Sequence, residues 1–193
     1  DITALLELLP GPDFPGGGQI ISSATDIADA YGSGRGSIKV RARHVFEDLA
    51  RGQWQLIFTE LPHGVSTQKV LEEIEELTNP KVRTGKKALS AEQVQLKQVF
   101  LSVMDAVRDE SGKDAPIRLV VEPKTSKIDQ QMLLNTLLAH TSLETGVSIN
   151  LVMIGRDGRP RQKSLRDIFV EWAEFRVVTV RRRTAHRLAK VND

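Results

Sequence analysis

Four cations close together in the first quarter of the chain are the side chains best suited to bind an anion. They are Arg35, Lys39, Arg41 and Arg43. Apolar and basic residues alternate from position 38 to position 44, as in a strand whose successive side chains point to opposite faces. Lys39, Arg41 and Arg43 therefore share one face of a predicted strand. Such a row suits the phosphates of a polyanion, but basic strand faces are often only the solvated side of a sheet, and the alternation leaves both interpretations open.

Two other groups of residues resemble ligand sites, and in both the sequence favours a turn. Residues 32–36, Gly-Ser-Gly-Arg-Gly, follow a helical pattern and precede a strand, which reverses the order found in phosphate-binding loops. Asp109, Glu110 and Asp114 supply carboxylates of the kind that bind Mg²⁺ or act as acid and base, but carboxylates before a strand more often cap a turn. The four histidines lack the spacing of zinc ligands, so no metal site is predicted.

The C-terminal part of the chain is basic. From residue 155 onward there are eleven Lys or Arg against five Asp or Glu, an excess that attracts phosphate. Residues 181–183 are three consecutive arginines, and successive residues of a helix are about 100° apart. They cannot all face one partner, so solvation or pairing with acids is at least as good an interpretation as phosphate contact.

Composition limits the class of protein. With 193 residues, 40% of them hydrophobic, the chain can bury a core. The absence of cysteine excludes disulfides and is consistent with a reducing cytosol. No apolar run approaches the roughly 20 residues of a membrane span, and the first residues lack the basic start of a signal peptide. We therefore expect a soluble, cytoplasmic protein without a membrane span.

Capping and breaking signals divide the chain into elements. A short helix from Ile2 to Leu9 precedes a connector rich in Pro and Gly. Further helices are predicted to begin after four serines: Ser66, Ser90, Ser126 and Ser164. The second of these helices should reach Val107 and the third Gly146. Strands are predicted over 38–44, 53–60 and 117–121, the first two as an antiparallel pair.

Residues 147–163 predict a hairpin that leads into a long helix. Apolar residues alternate from Val147 to Met153, and Asp157-Gly158 can supply the positive φ angles of a two-residue turn. No Gly or Pro follows Ser164, so a helix from there to the last residue would extend about 40 Å.

Together these patterns predict an α+β fold, a mostly antiparallel sheet with packed helices followed by a long C-terminal helix. We expect a lead-in helix and connector over 1–18, an α+β domain over 19–163 and a helical arm over 164–193.

Several short segments carry a resemblance to a known family. In chain order they are Gly11–Pro15, Gly34–Ser37, Leu61–His63, Arg108–Ser111, Ile149–Gly155, Asp157–Pro160, Glu171–Trp172 and Thr179–Arg183. An ordered series is far more specific than one short motif. The chain resembles the A subunits of bacterial type II DNA topoisomerases, topoisomerase IV in particular and gyrase less closely. Residues 81–105 match none of these landmarks and look longer than in other members.

The resemblance implies a place in an ATP-dependent enzyme that cuts both strands of one duplex and passes another through, relaxing and decatenating DNA. In the family the A subunit forms the breakage and reunion core, and an A-subunit homodimer joins two B subunits. Mg²⁺ and ATP are then used through the B subunit, and no cofactor is expected in this part of the A subunit. The enzyme would act in the bacterial cytoplasm, associated with the chromosome.

Within that subunit the chain resembles the tower domain and the start of the coiled-coil arm. The family's nucleophile is a tyrosine that follows an arginine in a winged-helix domain preceding this part, so Tyr31 is not expected to be it. Towers support bent duplex DNA without reading its sequence, which makes the four cations at 35, 39, 41 and 43 the expected contacts with DNA phosphates. The alternatives are a gyrase tower, and a scaffold or dimer arm that does not bind DNA.

Overall fold

A computed structural model describes residues 2–82 and 88–192. Its helices are α1 (Ile2–Leu8), α2 (Ala24–Ser33), α3 (Thr67–Thr78), α4 (Ala91–Val103), α5 (Gln130–His140) and α6 (Leu165–Asn192). Its strands are β1 (Gln19–Ile20), β2 (Arg35–Arg41), β3 (Arg43–Asp48), β4 (Trp54–Glu60), β5 (Met104–Asp109), β6 (Leu119–Pro123), β7 (Glu144–Asn150), β8 (Val152–Ile154) and β9 (Pro160–Gln162). Residues 83–87, part of the segment that looks longer than usual, lie outside the described residues, as do residues 1 and 193 of the predicted end segments.

The strands form three sheets, with the hydrogen-bonded orders β1-β2-β7, β3-β4-β6-β5 and β8-β9. The pairs β1–β2, β3–β4, β4–β6, β5–β6 and β8–β9 are all antiparallel. The predicted fold class, helices with mostly antiparallel sheets and a long C-terminal helix, is therefore confirmed. None of the helices in the described ranges combines the length and the apolar character that crossing a bilayer requires.

The chain divides into two compact units. The first comprises Asp1–Pro12, Ser22–Ile38 and Val147–Asp193, and the second comprises Asp13–Ile21 and Lys39–Gly146. The division falls inside β2 and inside β7.

In the second unit, helices α3, α4 and α5 cover one face of the four-stranded sheet. Leu56 and Phe58 of β4 join one buried cluster with Ile74 of α3, Phe100 of α4 and Leu137 of α5. Each of these side chains is at most 1% exposed. Because full burial of such a side chain contributes roughly 1.5–3 kcal/mol, this cluster holds the sheet and the helices together.

In the first unit, α2 packs against α1 and α6. Helix α2 buries Ile27 and ends where Gly34 adopts a left-handed conformation with φ of 73°. The carbonyl of Gly34 accepts the Leu151 N–H at 2.7 Å, and the carbonyl of Ser33 accepts Nε2 of Gln162 at 2.8 Å. These bonds tie the β8–β9 hairpin to the end of α2.

The predicted single strand over residues 38–44 is two strands in two sheets. Strand β2 ends at Arg41, the Ala42 N–H donates to the Leu143 carbonyl at 2.7 Å, and β3 begins at Arg43 with a register shift before His44. The apolar and basic residues keep alternating through this junction. The hydrophobic pattern therefore carries no sign of the break.

The predicted helix starts at Ser66, Ser90 and Ser164 are confirmed, since each hydroxyl accepts the backbone N–H three residues later. The helix after Ser90 nevertheless ends at Val103 and not at Val107. Residues 104–109 pair with β6 instead, and burial in a sheet outweighs local helix propensity there.

The helix predicted to begin after Ser126 begins after Asp129, whose side chain accepts the Met132 N–H at 2.8 Å. It ends at His140, before the predicted Gly146, because residues 144–150 form β7. The start is thus a choice between two nearby capping residues, Ser126 and Asp129, whereas the end is decided by the pairing of the following strand.

The β8–β9 hairpin is confirmed, but its turn is of another type. Gly158 N–H donates to the Gly155 carbonyl at 2.9 Å and Gly155 N–H to the Arg159 carbonyl at 3.0 Å, so the loop has three residues. Only its last residue, Gly158, has a positive φ, of 74°. A type I turn followed by a left-handed glycine is a common three-residue hairpin loop, so Asp157 needs no positive φ.

The predicted strand over 147–153 is interrupted at Leu151. Its N–H donates to the Gly34 carbonyl, and its carbonyl accepts the Lys163 N–H at 3.0 Å, one position beyond the β8–β9 register, so Leu151 marks the change from one strand partner to another. Helix α6 follows the hairpin with 28 residues, a length of about 42 Å, which confirms the long helix. Its Trp172 and Phe175 side chains are 60% and 57% exposed.

We predict that Gly34→Ala strongly destabilises the first unit. A Cβ at Gly34 would overlap with the Lys163 carbonyl, and the left-handed conformation itself costs a residue with a Cβ about 1–2 kcal/mol. Gly32 is the matched control, because it lies inside α2 with open space around it. Gly32→Ala should raise stability by up to about 1 kcal/mol. Thermal unfolding followed by circular dichroism compares the two, and equal melting temperatures would contradict the prediction.

Candidate nucleic-acid interface

The basic segment lies beside a fully buried row of residues. Val40 of β2 and Ala42 after it have no exposed surface. Lys39 and Arg43, at alternate positions, are exposed, and Arg41 is half-buried. The buried row fixes the direction in which the cations project, so the alternation of apolar inward and basic outward residues is confirmed here.

Arg41 is paired with Glu144 of β7. Its Nε and one terminal nitrogen donate to the same carboxylate oxygen, Oε2, at 2.8 and 2.7 Å. The two side chains are 35% and 24% exposed, so water partly screens the pair. A guanidinium carries five N–H groups, and this contact occupies one edge of the plane. The opposite edge can still donate to an anion.

Arg43 is paired with Glu60, its partner in the β3–β4 register. Nε of Arg43 lies 3.0 Å from Oε2 of Glu60, and the same oxygen accepts the Gly18 N–H at 2.7 Å. Gly17, with φ of 77°, passes so close that a Cβ there would overlap with the carboxylate. The Gly17-Gly18 loop thus fixes the carboxylate, and the carboxylate fixes Arg43.

The other two predicted contacts differ in their setting. Lys39 shares β2 with Arg41, and its carbonyl accepts the Ile21 N–H at 2.9 Å. Arg35 belongs to the first unit, where its N–H and its carbonyl both bond to the hydroxyl of Ser33, at 3.3 and 2.8 Å. The structure therefore places Lys39, Arg41 and Arg43 in one compact unit, and Arg35 in the other.

His44 follows the cations on β3. Its ring lies 5.5 Å from that of Phe46 and 6.2 Å from that of Phe58, between centroids. Burial lowers the pKa of His44, the positive charge of Arg41 lowers it further, and a hydrogen bond with the Ala42 backbone opposes both. The imidazole is accordingly neutral at pH 7 and adds no charge to the row.

Sequence reasoning missed both carboxylates. Glu60 could have been found from the predicted antiparallel pair, because a short turn between the two strands brings residue 43 opposite residue 60. Glu144 lies 103 residues from Arg41, and no local pattern connects them.

The carboxylates near Arg108 form a turn, as the sequence favours. The Ser111 N–H donates to Oδ1 of Asp109 at 3.0 Å, and the Arg118 N–H donates to the Ser111 hydroxyl at 3.0 Å. Hydrogen bonds from the Ser111 and Thr67 side chains lower the pKa of Asp109. Within residues 2–82 and 88–192, no group of three His, Cys, Asp or Glu is arranged to hold a metal ion.

The glycine-rich segment 32–36 is also a turn. Gly34 closes α2 at its C-terminal end and β2 begins at Arg35, so the segment leads from a helix into a strand and lacks the strand-to-helix order of a phosphate-binding loop. Tyr31, one residue before this segment, is 6% exposed, and burial raises the pKa of its phenol. It is therefore poorly accessible to a large substrate and is held in the neutral form.

Several of the cations after residue 155 are paired with acids of the same segment, within the first unit. Arg156 pairs with Glu174, Arg161 with Asp157, and Lys163 with Glu171. The hydrogen bond from Lys163 is the main reason that the pKa of Glu171 is lowered. Arg181, Arg182 and Arg183 are exposed on α6. The Arg156–Glu174 and Lys163–Glu171 pairs fasten the hairpin to the first turns of α6.

The fold and the site together define a basic α+β chain that ends in a helical arm, with cations held in place by carboxylates. The model of the DNA gyrase/topoisomerase IV family of A subunits matches residues 1–193, and the chain belongs to this family.

Several curated proteins that share one name are similar to this chain. The chain is 52% identical over 187 residues to the A subunit of DNA topoisomerase 4 from Neisseria gonorrhoeae, an alignment that covers 97% of this chain and 24% of the relative. It is 40% identical to the proteins of the same name from Salmonella typhimurium and Escherichia coli K12, over 97% of this chain and 22% of each relative. The chain thus spans about a quarter of the length of these curated relatives. The resemblance inferred from the short segments is confirmed.

We predict that His44 titrates below its ordinary pKa of 6.5. Because the unfolded chain then binds a proton more readily than the folded one, stability should fall as the pH drops through 6.5 towards the lowered pKa. His44→Gln should lose less stability than the parent between pH 7.5 and pH 5.5. NMR titration of the His44 ring gives the pKa, and urea unfolding at the two pH values gives the stability difference. A midpoint at or above 6.5 would contradict the prediction.

Proposed function

We propose that this chain is part of the A subunit of a bacterial type II DNA topoisomerase, topoisomerase IV rather than gyrase, and that this part supports duplex DNA through its phosphates. The observation that carries the proposal is the row of Lys39, Arg41 and Arg43, which projects from a buried strand face. The shared name of the similar proteins supports type IV.

The arrangement suits contacts with the DNA backbone. Phosphate contacts position a duplex without reading bases, and they require cations at defined places. Arg41 and Arg43 are already held by Glu144 and Glu60, so less side-chain entropy is lost when a phosphate binds. Arg35, in the other compact unit, is proposed as a further phosphate contact.

The proposed family role also implies the activity, the partners and the cofactors of the complete enzyme. The complete enzyme would relax and decatenate DNA, with a homodimer of A subunits bound to two B subunits. Mg²⁺ and ATP would be used through the B subunit, in the cytoplasm and close to the chromosome. This chain would form the tower domain, and α6 the start of the coiled-coil arm.

Strand cleavage is proposed to depend on residues outside this chain. Tyr31 is the only tyrosine of the sequence, and its phenol is buried. A nucleophile for a DNA phosphate must reach the backbone of a duplex and lose its proton. Burial opposes both requirements, because it blocks access and raises the pKa.

We predict that the chain binds a 30-base-pair duplex with steep salt dependence and that replacing Lys39, Arg41 and Arg43 by Ala weakens binding at least about tenfold at low salt. Three lost phosphate contacts would also lower the slope of log K against log salt by about 2.7. Fluorescence anisotropy across a salt series measures both quantities, and duplexes of unrelated sequence should bind equally well.

The matched control is the triple variant Lys97→Ala, Lys124→Ala and Lys127→Ala, which removes the same charge. Lys124 and Lys127 follow β6, at the end of the sheet opposite Arg43 and Glu60. Equal weakening in both triple variants would show that only net charge matters. No binding by the parent chain would instead favour the scaffold alternative.

We also predict that the chain alone forms no covalent adduct with DNA. Supercoiled DNA incubated with the chain and Mg²⁺, then treated with detergent, should remain uncut and free of bound protein. Tyr31→Phe should behave identically. A protein–DNA adduct that disappears in Tyr31→Phe would contradict the burial argument.

A further inference from the structure

We propose that Glu60 and Glu144 limit the affinity of this surface for DNA. The inference rests on the proposed function and concerns the regulation of the same contacts. Each carboxylate is paired with one arginine of the row and remains beside it when a phosphate arrives. Each carboxylate therefore repels the phosphate that its arginine attracts. Binding of DNA then depends more on the fixed positions of the guanidinium groups than on the net charge of the surface.

The Glu144 carboxylate is firmly hydrogen-bonded to Arg41. One of its oxygens accepts both Nε and a terminal nitrogen, at 2.8 and 2.7 Å, and its side chain is only 24% exposed. Two hydrogen bonds from one guanidinium are hard to replace with water, because they are charge-assisted and partly buried. A phosphate is then left with the far edge of the Arg41 guanidinium.

The Glu60 carboxylate is more exposed than that of Glu144, but it is held by a backbone group as well as by its arginine. Its Oε2 accepts the Gly18 N–H at 2.7 Å as well as pairing with Arg43, and Gly17 passes against it without room for a Cβ. Rotating the carboxylate away would leave the Gly18 N–H without this partner. The carboxylate is thus part of the loop structure and cannot simply leave when DNA binds.

The electrostatic effect has a definite sign. A phosphate on the far edge of either guanidinium would lie about 6–7 Å from the carboxylate, where two like charges repel noticeably at a partly screened surface. Amide replacement keeps the hydrogen-bond acceptor and removes the charge. Glu60→Gln and Glu144→Gln should therefore each bind a duplex more tightly, by about three- to tenfold at low salt, with a salt slope steeper by about one.

A matched control separates local from global charge. Asp105 pairs with Lys124 at 3.0 Å, and Asp105→Asn removes one negative charge from an exposed ion pair on β5. Its effect on DNA affinity should be small. Anisotropy with the same 30-base-pair duplex would be measured for the parent, Glu60→Gln, Glu144→Gln, Asp105→Asn and the triple variant of Lys39, Arg41 and Arg43.

Tighter binding by both glutamine variants and not by Asp105→Asn supports the proposal. Unchanged or weaker binding by both would overturn it, while leaving the proposed function intact if the triple variant still binds poorly. Equal tightening by Asp105→Asn would overturn it too, because net charge would then be the cause. No binding by the parent removes the proposed function and the inference together. Should Glu60→Gln not fold, Glu144→Gln decides the test by itself.

Discussion

Successive side chains of a strand point to opposite faces of its sheet, and the basic surface of this chain depends on that constraint. Val40 and Ala42 are completely buried, so Lys39, Arg41 and Arg43 have to point the other way. The change of sheet at Ala42 preserves this alternation, because its N–H bonds to Leu143 and the next strand starts at once. The position of each cation is thus set by the core rather than by its own contacts. The carboxylates of Glu60 and Glu144 then fix the direction of the guanidinium groups.

Ion pairs within the chain reduce the number of cations that are free to bind a polyanion. Eleven Lys or Arg follow residue 155, yet Arg156, Arg161 and Lys163 among them are each paired with an acid. Two of these pairs, those of Arg156 and Lys163, fasten the hairpin to α6, and the third lies within the hairpin. The exposed pairs of Arg156 and Arg161 contribute little free energy each, whereas the Lys163–Glu171 pair is partly buried. Counting Lys and Arg in a sequence therefore overstates how much charge is available to a polyanion.

The sequence was sufficient for signals that act over a few residues. Ser66, Ser90 and Ser164 cap helices as predicted, and the fold class, the hairpin and the long helix are confirmed. Two of the errors are local, the start of α5 and the type of the hairpin turn, and the others lie where pairing with a distant strand decides the structure. The helix after Ser90 ends early because β5 pairs with β6, and residues 38–44 divide because β2 and β3 join different sheets. For the candidate site, the alternation of the cations was predictable, while the Glu144 partner of Arg41 was not, since it comes from a strand 103 residues away.

Under the proposed function, a surface of paired cations has a physical advantage over one of free cations. A tower that supports the outer part of a bent duplex must let the DNA go once the reaction is complete. Free cations would hold any nearby duplex, because release of counterions favours non-specific binding. Cations that are held in place and partly neutralised gain from a phosphate mainly when the duplex already has the matching curvature. The strength of the contact then depends on the shape of the DNA. The energy needed to deform the duplex decides where it binds, more than the charge of the surface does.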